Sequence, residues 1–404
     1  MKIYLIAFLL LISAFASAQS SQKEVLDFLS EINIPVTTNN KLKLLKNGKE
    51  KFDDLFESIK QAKHHIHLEY FNFRNDSIAG LLFDLLAVKA KQGVKVRALF
   101  DAFGNWSNNK PLKKKHLEQI KNNGIEIVKF DPIRFPYLNH IFHRDHRKIV
   151  VIDGKIGYTG GINIADYYVV GLPEIGDWRD THIRIEGDAV NFLQEIFLTI
   201  WNQTTNQSVW GDEYFYKHPH AEGKAVAVVD RAPRKMPKQL RHTYVKSINA
   251  AQKKIQIVNP YFLPPHSVKK ALKKAVERGV EVEIMISAES DIKFTPDGVF
   301  YAAHKLMKRG AEIYVYEGGF HHSKIMMVDD AFCTVGSANL DSRSMRFDYE
   351  VNVFIFDEEV TQELIGVFEH DKNNSEAMTP EIWKKRPKWK RFVGWCANAL
   401  TPFL

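Results

Sequence analysis

Two eight-residue stretches carry the same polar residues at the same places, His146-Arg147-Lys148-Ile149-Val150-Val151-Ile152-Asp153 and His322-Ser323-Lys324-Ile325-Met326-Met327-Val328-Asp329. Residues two apart in a strand share a face, so each histidine and its lysine point the same way while the apolar run beyond them enters a core. Fifteen residues after each histidine stands a small residue preceded by glycine, Gly161 and Ser337, and seventeen after it an asparagine, Asn163 and Asn339. These groups suit a phosphodiester. One neutral imidazole attacks phosphorus to give a phosphohistidine, and a second, protonated imidazole donates to the departing alkoxide. Lys148, Lys324 and the two asparagine amides hold the non-bridging oxygens and stabilise the charge gathered on them in the transition state. Gly161 and Ser337 let the backbone come close to the phosphate. Positive side chains take the role of a metal, so no metal and no cofactor is expected.

A lone His-x-Lys at a strand start is usually a surface pair; two copies with Gly and Asn at identical offsets are not. Asp153 and Asp329 complete the motifs and are kept with the catalytic set on that ground, although after apolar runs they read as turn and structural residues more than as chemistry. Asp180, in Trp178-Arg179-Asp180-Thr181-His182, lies 34 residues after His146, and Glu350, in Phe347-Asp348-Tyr349-Glu350-Val351, lies 28 after His322. Each opens a strand, where it is either an orienting acceptor for an imidazole or an ordinary strand-edge charge. His140, His143 and His146 recur every three residues but lack the cysteine or carboxylate support of a metal cluster.

The elements that must position these groups are duplicated. Ser58-Ile59-x-x-Ala62-x-x-x-Ile66 recurs as Ser247-Ile248-x-x-Ala251-x-x-x-Ile255, offset by 189, and Gln92-Gly93-Val94-Lys95-Val96 answers Arg278-Gly279-Val280-Glu281-Val282, offset by 186. Each half starts with a helical pattern ending in a strand, followed by an amphipathic helix, a glycine and a short β-branched strand, which is βαβ grammar. The class is α/β, with one domain over residues 49–205, a linker over 206–222 and a second domain over 223–372.

With 404 residues, 45% hydrophobic and 26% charged, the chain supports two self-sufficient cores. A net charge of +8 favours anionic partners. Two cysteines, Cys333 and Cys396, exclude a disulfide framework. Lys2, the apolar run Ile3 to Phe15 and Ala16-Ser17-Ala18 have the layout of a signal peptide over residues 1–18, or of an anchor, and predict an exported protein, periplasmic or on the outer face of the membrane. The tail over 381–404 interleaves basic residues with Trp383, Trp389, Phe392 and Trp395, which suits a helix on an anionic membrane surface or a basic end folded back on the body.

On both His-Lys-Asp motifs, on Ile257-Val258-Asn259-Pro260-Tyr261-Phe262-Leu263-Pro264 and on Val335-Gly336-Ser337-Ala338-Asn339-Leu340-Asp341-Ser342-Arg343-Ser344, the chain resembles the phospholipase D superfamily, most of all its bacterial cardiolipin synthase subgroup. The resemblance covers about Lys51 to Asp371. It implies two tandem phospholipase D-like domains in a pseudo-twofold arrangement with one shared active site. It also implies phosphatidyl transfer between two phosphatidylglycerols through a phosphatidyl-histidine, with His146 as nucleophile. Anionic phospholipid and the membrane surface are then the partners. The alternative is a secreted phospholipase D or nuclease that uses the same intermediate with water as acceptor, and only there is nucleic acid a partner.

Overall fold

The computed structural model describes residues 20–132, 142–219, 222–233, 235–292 and 295–400. In the first half seven strands lie side by side in the order Val36–Leu45, His182–Glu186, Ile156–Gly160, Ile149–Ile152, His65–Tyr70, Lys95–Asp101, Glu126–Phe130. The second half repeats the order with Lys224–Arg231, Glu350–Phe356, Phe332–Gly336, Ile325–Val328, Lys254–Val258, Glu281–Ser287 and Glu312–Tyr316. The two central strands pair antiparallel, Val36 opposite Ala227 and Thr37 opposite Val226. Antiparallel pairing of equivalent strands is what a local twofold axis produces, so the expected α/β class and tandem pseudo-twofold arrangement are those of the chain. The edge strand Ser375–Ala377 completes a continuous 15-stranded sheet.

The strand Val36–Leu45 begins upstream of residue 49, where the first domain was expected to start. Its first half, Val36-Thr37-Thr38-Asn39-Asn40, is too polar to read as a central strand. The expected linker is packed rather than free, with Tyr214 buried against Phe197 and Trp201.

Alternation sorts the motif strands between cores. Val150 and Ile152 enter a core belonging to the first half, Met326 and Val328 one belonging to the second, while Ile149, Val151, Ile325 and Met327 meet in a core built by both. Helices Ala189–Thr205 and Glu358–Lys372 cover that shared core with Val190, Leu193, Leu364 and Phe368. Each buried aliphatic or aromatic side chain contributes about 1.5–3 kcal/mol relative to exposure, so the halves are held as one body rather than hinged. Cys333 is buried in this core and Cys396 lies on the C-terminal helix, both free.

The tail forms helices Pro380–Lys385 and Lys388–Leu400, which fold back on helix Thr295–Met307. Trp383 stacks on His304 at 4.0 Å and Arg386 pairs with Asp297 at 2.6 Å. The signal-like residues 1–18 and the last four of the tail lie outside the described residues.

Asp153 and Asp329, kept with the catalytic set from the motif, are turn residues. They sit at φ 54° and 52°, which a short polar side chain tolerates. Asp153 accepts from the backbone N–H groups of Lys63, His64 and His65 at 2.8, 2.8 and 3.0 Å. Asp329 does the same for Gln252, Lys253 and Lys254 at 2.7, 2.8 and 2.9 Å. Each carboxylate pins the entry of the neighbouring strand, seven residues and thus roughly 20 Å of extended chain from its histidine. Asp153→Ala is therefore expected to lower unfolding stability by about 1–3 kcal/mol, through three backbone donors left without this acceptor, while leaving the rate per folded molecule close to wild type. Denaturant titration beside an assay checks this, and a folded but inactive variant would return Asp153 to the chemistry.

Candidate active site

The segment before each motif is tied to the opposite half. Gly319–His321 runs parallel to Asp177–Arg179, and Asp145 forms a parallel bridge with Tyr349. His322 N–H donates to Arg179 O at 2.6 Å and His146 N–H to Tyr349 O at 3.0 Å. The next residue along each partner segment is a carboxylate, which therefore arrives beside an imidazole of the other half. His146 Nδ1 donates to Glu350 Oε1 at 3.0 Å, and His322 Nδ1 to Asp180 Oδ2 at 2.7 Å. With Nδ1 committed, Nε2 of each ring is left for a substrate. The sequence marked both carboxylates as candidate orienters; the structure assigns each to the histidine across the axis.

Lys148 and Lys324 are buried and donate to the carbonyls of His146, at 2.5 Å, and of His322. Gly161 and Ser337, expected against the phosphate, lie against the orienting carboxylates instead. A side chain at Gly161 would strike Asp180 Oδ1 at 2.2 Å, whereas the Ser337 hydroxyl donates to Glu350 Oε2. Asn163 donates to Tyr168 OH at 3.2 Å, and the buried carbonyl oxygens Oδ1 of Asn163 and Asn339 have no partner among the described residues. Such orphaned polar atoms in a site call for a ligand. His143 Nδ1 meets Phe347 O, His140 lies outside the described residues, and among the described residues no group of three or more metal-ligating side chains comes together.

Comparison with known proteins gives the family of the chain. A family model described as cardiolipin synthase, PLD-like domain, matches residues 55–178 and 244–372. The cardiolipin synthase of Geobacillus sp. (strain WCH70) is 38% identical over 377 residues, 92% of this chain and 74% of that one. The chain belongs to the cardiolipin synthase, phospholipase D-like family. A probable cardiolipin synthase of Bacillus subtilis (strain 168) is 37% identical over 352 residues, covering 87% of this chain and 70% of its own. The crystal structure of phosphatidylserine synthase from Haemophilus influenzae Rd KW20 superposes with a TM-score of 0.71 over 96% of this chain and all of that one, at 16% identity, and so shares the fold. The expected export is corrected: the N-terminal run that carried it lies outside the described residues, no described helix is long and apolar enough to cross a membrane, and neither the fold nor these relatives support an exported location.

What the sequence did not reveal in this phospholipase D-like site is its wall of rings. Phe71 lies 5.1 Å from His146, and Phe320, Trp178 and Tyr261 lie 5.3, 5.8 and 6.0 Å from His322. Tyr261 stands inside a segment that carries the family resemblance and Trp178 two residues before Asp180, but nothing local says that they face a histidine. These walls remove water, and the site's ionisation follows. Burial, then Lys148, lowers His146 to about 4; burial, then Lys324 and Lys148, holds His322 well below the usual imidazole value. Burial takes Lys148 to about 7 and Lys324 to about 8 despite Glu350 and Asp180. Burial raises Asp180 to about 6, whereas at Glu350 the opposing pull of His146, Lys148 and Ser337 outweighs burial and keeps the carboxyl below its usual value.

At neutral pH both imidazoles are therefore neutral, rather than one neutral and one charged. Deprotonation of Lys148 and then Lys324 as pH rises through about 7 and 8 removes the charge that binds phosphate. The expected kcat/KM on a soluble phosphodiester falls across that interval, and falls again on the acid side as His146 takes a proton near pH 4. A profile flat from pH 6 to 9 would contradict this ionisation scheme.

Proposed function

We propose that this chain is a phosphatidyltransferase that joins two phosphatidylglycerols into cardiolipin and releases glycerol. The observation that carries the reading is the pair of crossed imidazole–carboxylate contacts, 3.0 Å at His146 and 2.7 Å at His322, which gives one site two acid–base groups, one from each half. In a family whose relatives are named cardiolipin synthases, that symmetry fits a reaction in which one alcohol leaves and another enters.

His146 Nε2 attacks phosphorus, and the bond from phosphorus to the first glycerol breaks. Glu350 stabilises the cation that develops on the attacking ring through Nδ1–H. The departing alkoxide takes its proton from His322 Nε2–H. His322 acquires that proton when the anionic phosphodiester binds, because its negative charge opposes the burial and the lysines that otherwise hold the ring neutral. His322, now neutral, removes a proton from the hydroxyl of the second phosphatidylglycerol, whose oxygen displaces His146 from phosphorus. Lys148 and Lys324 face the non-bridging oxygens through both steps. His146 has the attacking role by family resemblance.

Incubation of the purified protein with phosphatidylglycerol vesicles should give cardiolipin and free glycerol in equal amounts. Phosphatidic acid as the main lipid product would make water the acceptor and overturn the transferase reading. His146→Ala and His322→Ala are each expected to lower the rate by about 10³-fold or more with the fold intact by circular dichroism, because groups acting as a unit are lost as a unit. Substantial turnover in either variant would rule out a shared site.

A further inference from the structure

The folded-back tail does more than close the edge of the second half. Three grooves run along it in sequence. The first, beside Ser342 of the short helix that follows Asn339, is lined by Arg241, Lys269 and Arg346. The second shares Lys269 and Asn398 with it and adds Lys273, Lys305 and Arg309 around Trp395. The third shares Lys305, Arg309 and Trp395 and adds Lys308, Lys388 and Arg391. Among the described residues no aspartate or glutamate lines any of the three. The chain has 48 acidic against 56 basic residues, so a track lined by basic side chains, with Glu277 paired to Lys273 at 3.4 Å along it, is a segregated surface rather than an average one.

The helix Lys388–Leu400 that walls this track has two unlike faces. Its small residues face inward: a side chain at Gly394 would strike Asp297 O at 2.3 Å, and Asn398 donates to Gly298 O at 2.9 Å. Outward stand Trp389, Phe392 and Trp395, exposed by 60%, 63% and 52% and spaced three apart along the helix. Three aromatic side chains left bare beside a cationic track have the composition of a helix lying in a headgroup layer.

The mouth of the site carries the same signature. Val170, 76% exposed, ends the short helix whose Tyr168 lies 6.3 Å from His322. Exposed Ile292 follows Asp291, which accepts from Tyr261 OH beside His322. Exposed Trp106 stands on the helix whose Gly104 packs on Phe71, the neighbour of His146, and Phe142 lies against Phe347. Val170, Ile292 and Trp106 are thus joined through one or two residues to the lining of the site.

We infer that the basic track and the apolar rim form one docking face for a bilayer containing anionic phospholipid, with the mouth of the site turned toward the headgroups. Membrane contact is thereby moved from an independent tail to a surface built jointly by helices His266–Glu277, Thr295–Met307 and Lys388–Leu400 and by the loops around the histidines. Aliphatic Val170 and Ile292 at the rim fit an acyl layer and offer nothing for bases to stack on, which sets a bilayer ahead of nucleic acid. The mouth-down orientation rests on the proposed lipid substrate; the docking face itself does not.

Co-sedimentation of the described protein with phosphatidylcholine vesicles, with and without phosphatidylglycerol, tests the face. The wild type should bind the anionic vesicles preferentially, and high salt should release it. Lys305→Glu combined with Arg309→Glu should weaken that binding by at least about 30-fold, since each basic residue near such a surface is worth about a factor of five. Trp106→Ser with Val170→Ser should slow turnover on phosphatidylglycerol vesicles. Both pairs should leave turnover of a short-chain, soluble phosphatidylglycerol within about twofold, as they lie outside the site. Unchanged vesicle binding in the charge-reversed protein would overturn the inference, as would stronger binding of duplex DNA that the same reversal abolishes. Loss of soluble-substrate turnover in the wild type would instead overturn the proposed reaction while leaving the vesicle result to stand.

Discussion

Everything in this fold that bears on chemistry depends on two hydrogen bonds that cross the pseudo-twofold axis, His146 to Glu350 and His322 to Asp180. Neither motif histidine is held by a carboxylate of its own half, so neither half contains a complete site. The pairing tolerates little: both carboxylates, both lysines and His322 are buried and His146 is largely so, and a buried ionisable group separated from its partner costs several kcal/mol. The halves must therefore be locked in register, and the sheet does this twice, through the antiparallel pairing of Val36–Leu45 with Lys224–Arg231 and through the core both halves share. The catalytic duplication and the continuity of the 15-stranded sheet are one requirement seen at two scales.

The symmetry is imperfect where it meets the reaction. Ser337 donates to Glu350, whereas Gly161 only makes room for Asp180. Together with the neighbouring charges this keeps Glu350 ionised more readily than Asp180, which burial lifts to about 6. A firmly ionised acceptor stabilises a cationic ring, so His146 is the better placed of the two to carry positive charge on attack, in line with the role the family resemblance gives it. The two duplicated halves of one site have thus acquired unlike electrostatics through one hydroxyl and one methylene.

The motifs, the repeat and the class were legible because each is local or periodic. His-x-Lys followed by four apolar residues is a strand starting at a polar surface, and the sorting of Val150 and Ile152 from Ile149 and Val151 follows from a period of two. What escaped is what long-range pairing decides. That Glu350 belongs to His146 depends on the bridge between Asp145 and Tyr349, 204 residues apart, and no spacing along the chain encodes it. Asp153 and Asp329 travelled with the motif into the catalytic set, although the apolar run before them placed them at the wrong end of a strand. Gly161 and Ser337 were read as small for the sake of a phosphate and are small for the sake of a carboxylate. The strand Val36–Leu45 was hidden by its polar first half, and the tail could not be assigned between body and membrane because one face of its last helix serves each purpose.

The crossed pairing is tested most directly by ¹⁵N NMR of the protein labelled at histidine, comparing wild type with Glu350→Gln and with Asp180→Asn. Replacing the carboxylate by an amide weakens the hydrogen bond from Nδ1 and shifts that nitrogen's resonance. The account predicts that Glu350→Gln moves the Nδ1 signal of His146 and leaves that of His322 in place, and that Asp180→Asn does the reverse. Signals that move instead on the histidine of the same half, His322 with Glu350→Gln and His146 with Asp180→Asn, would contradict it.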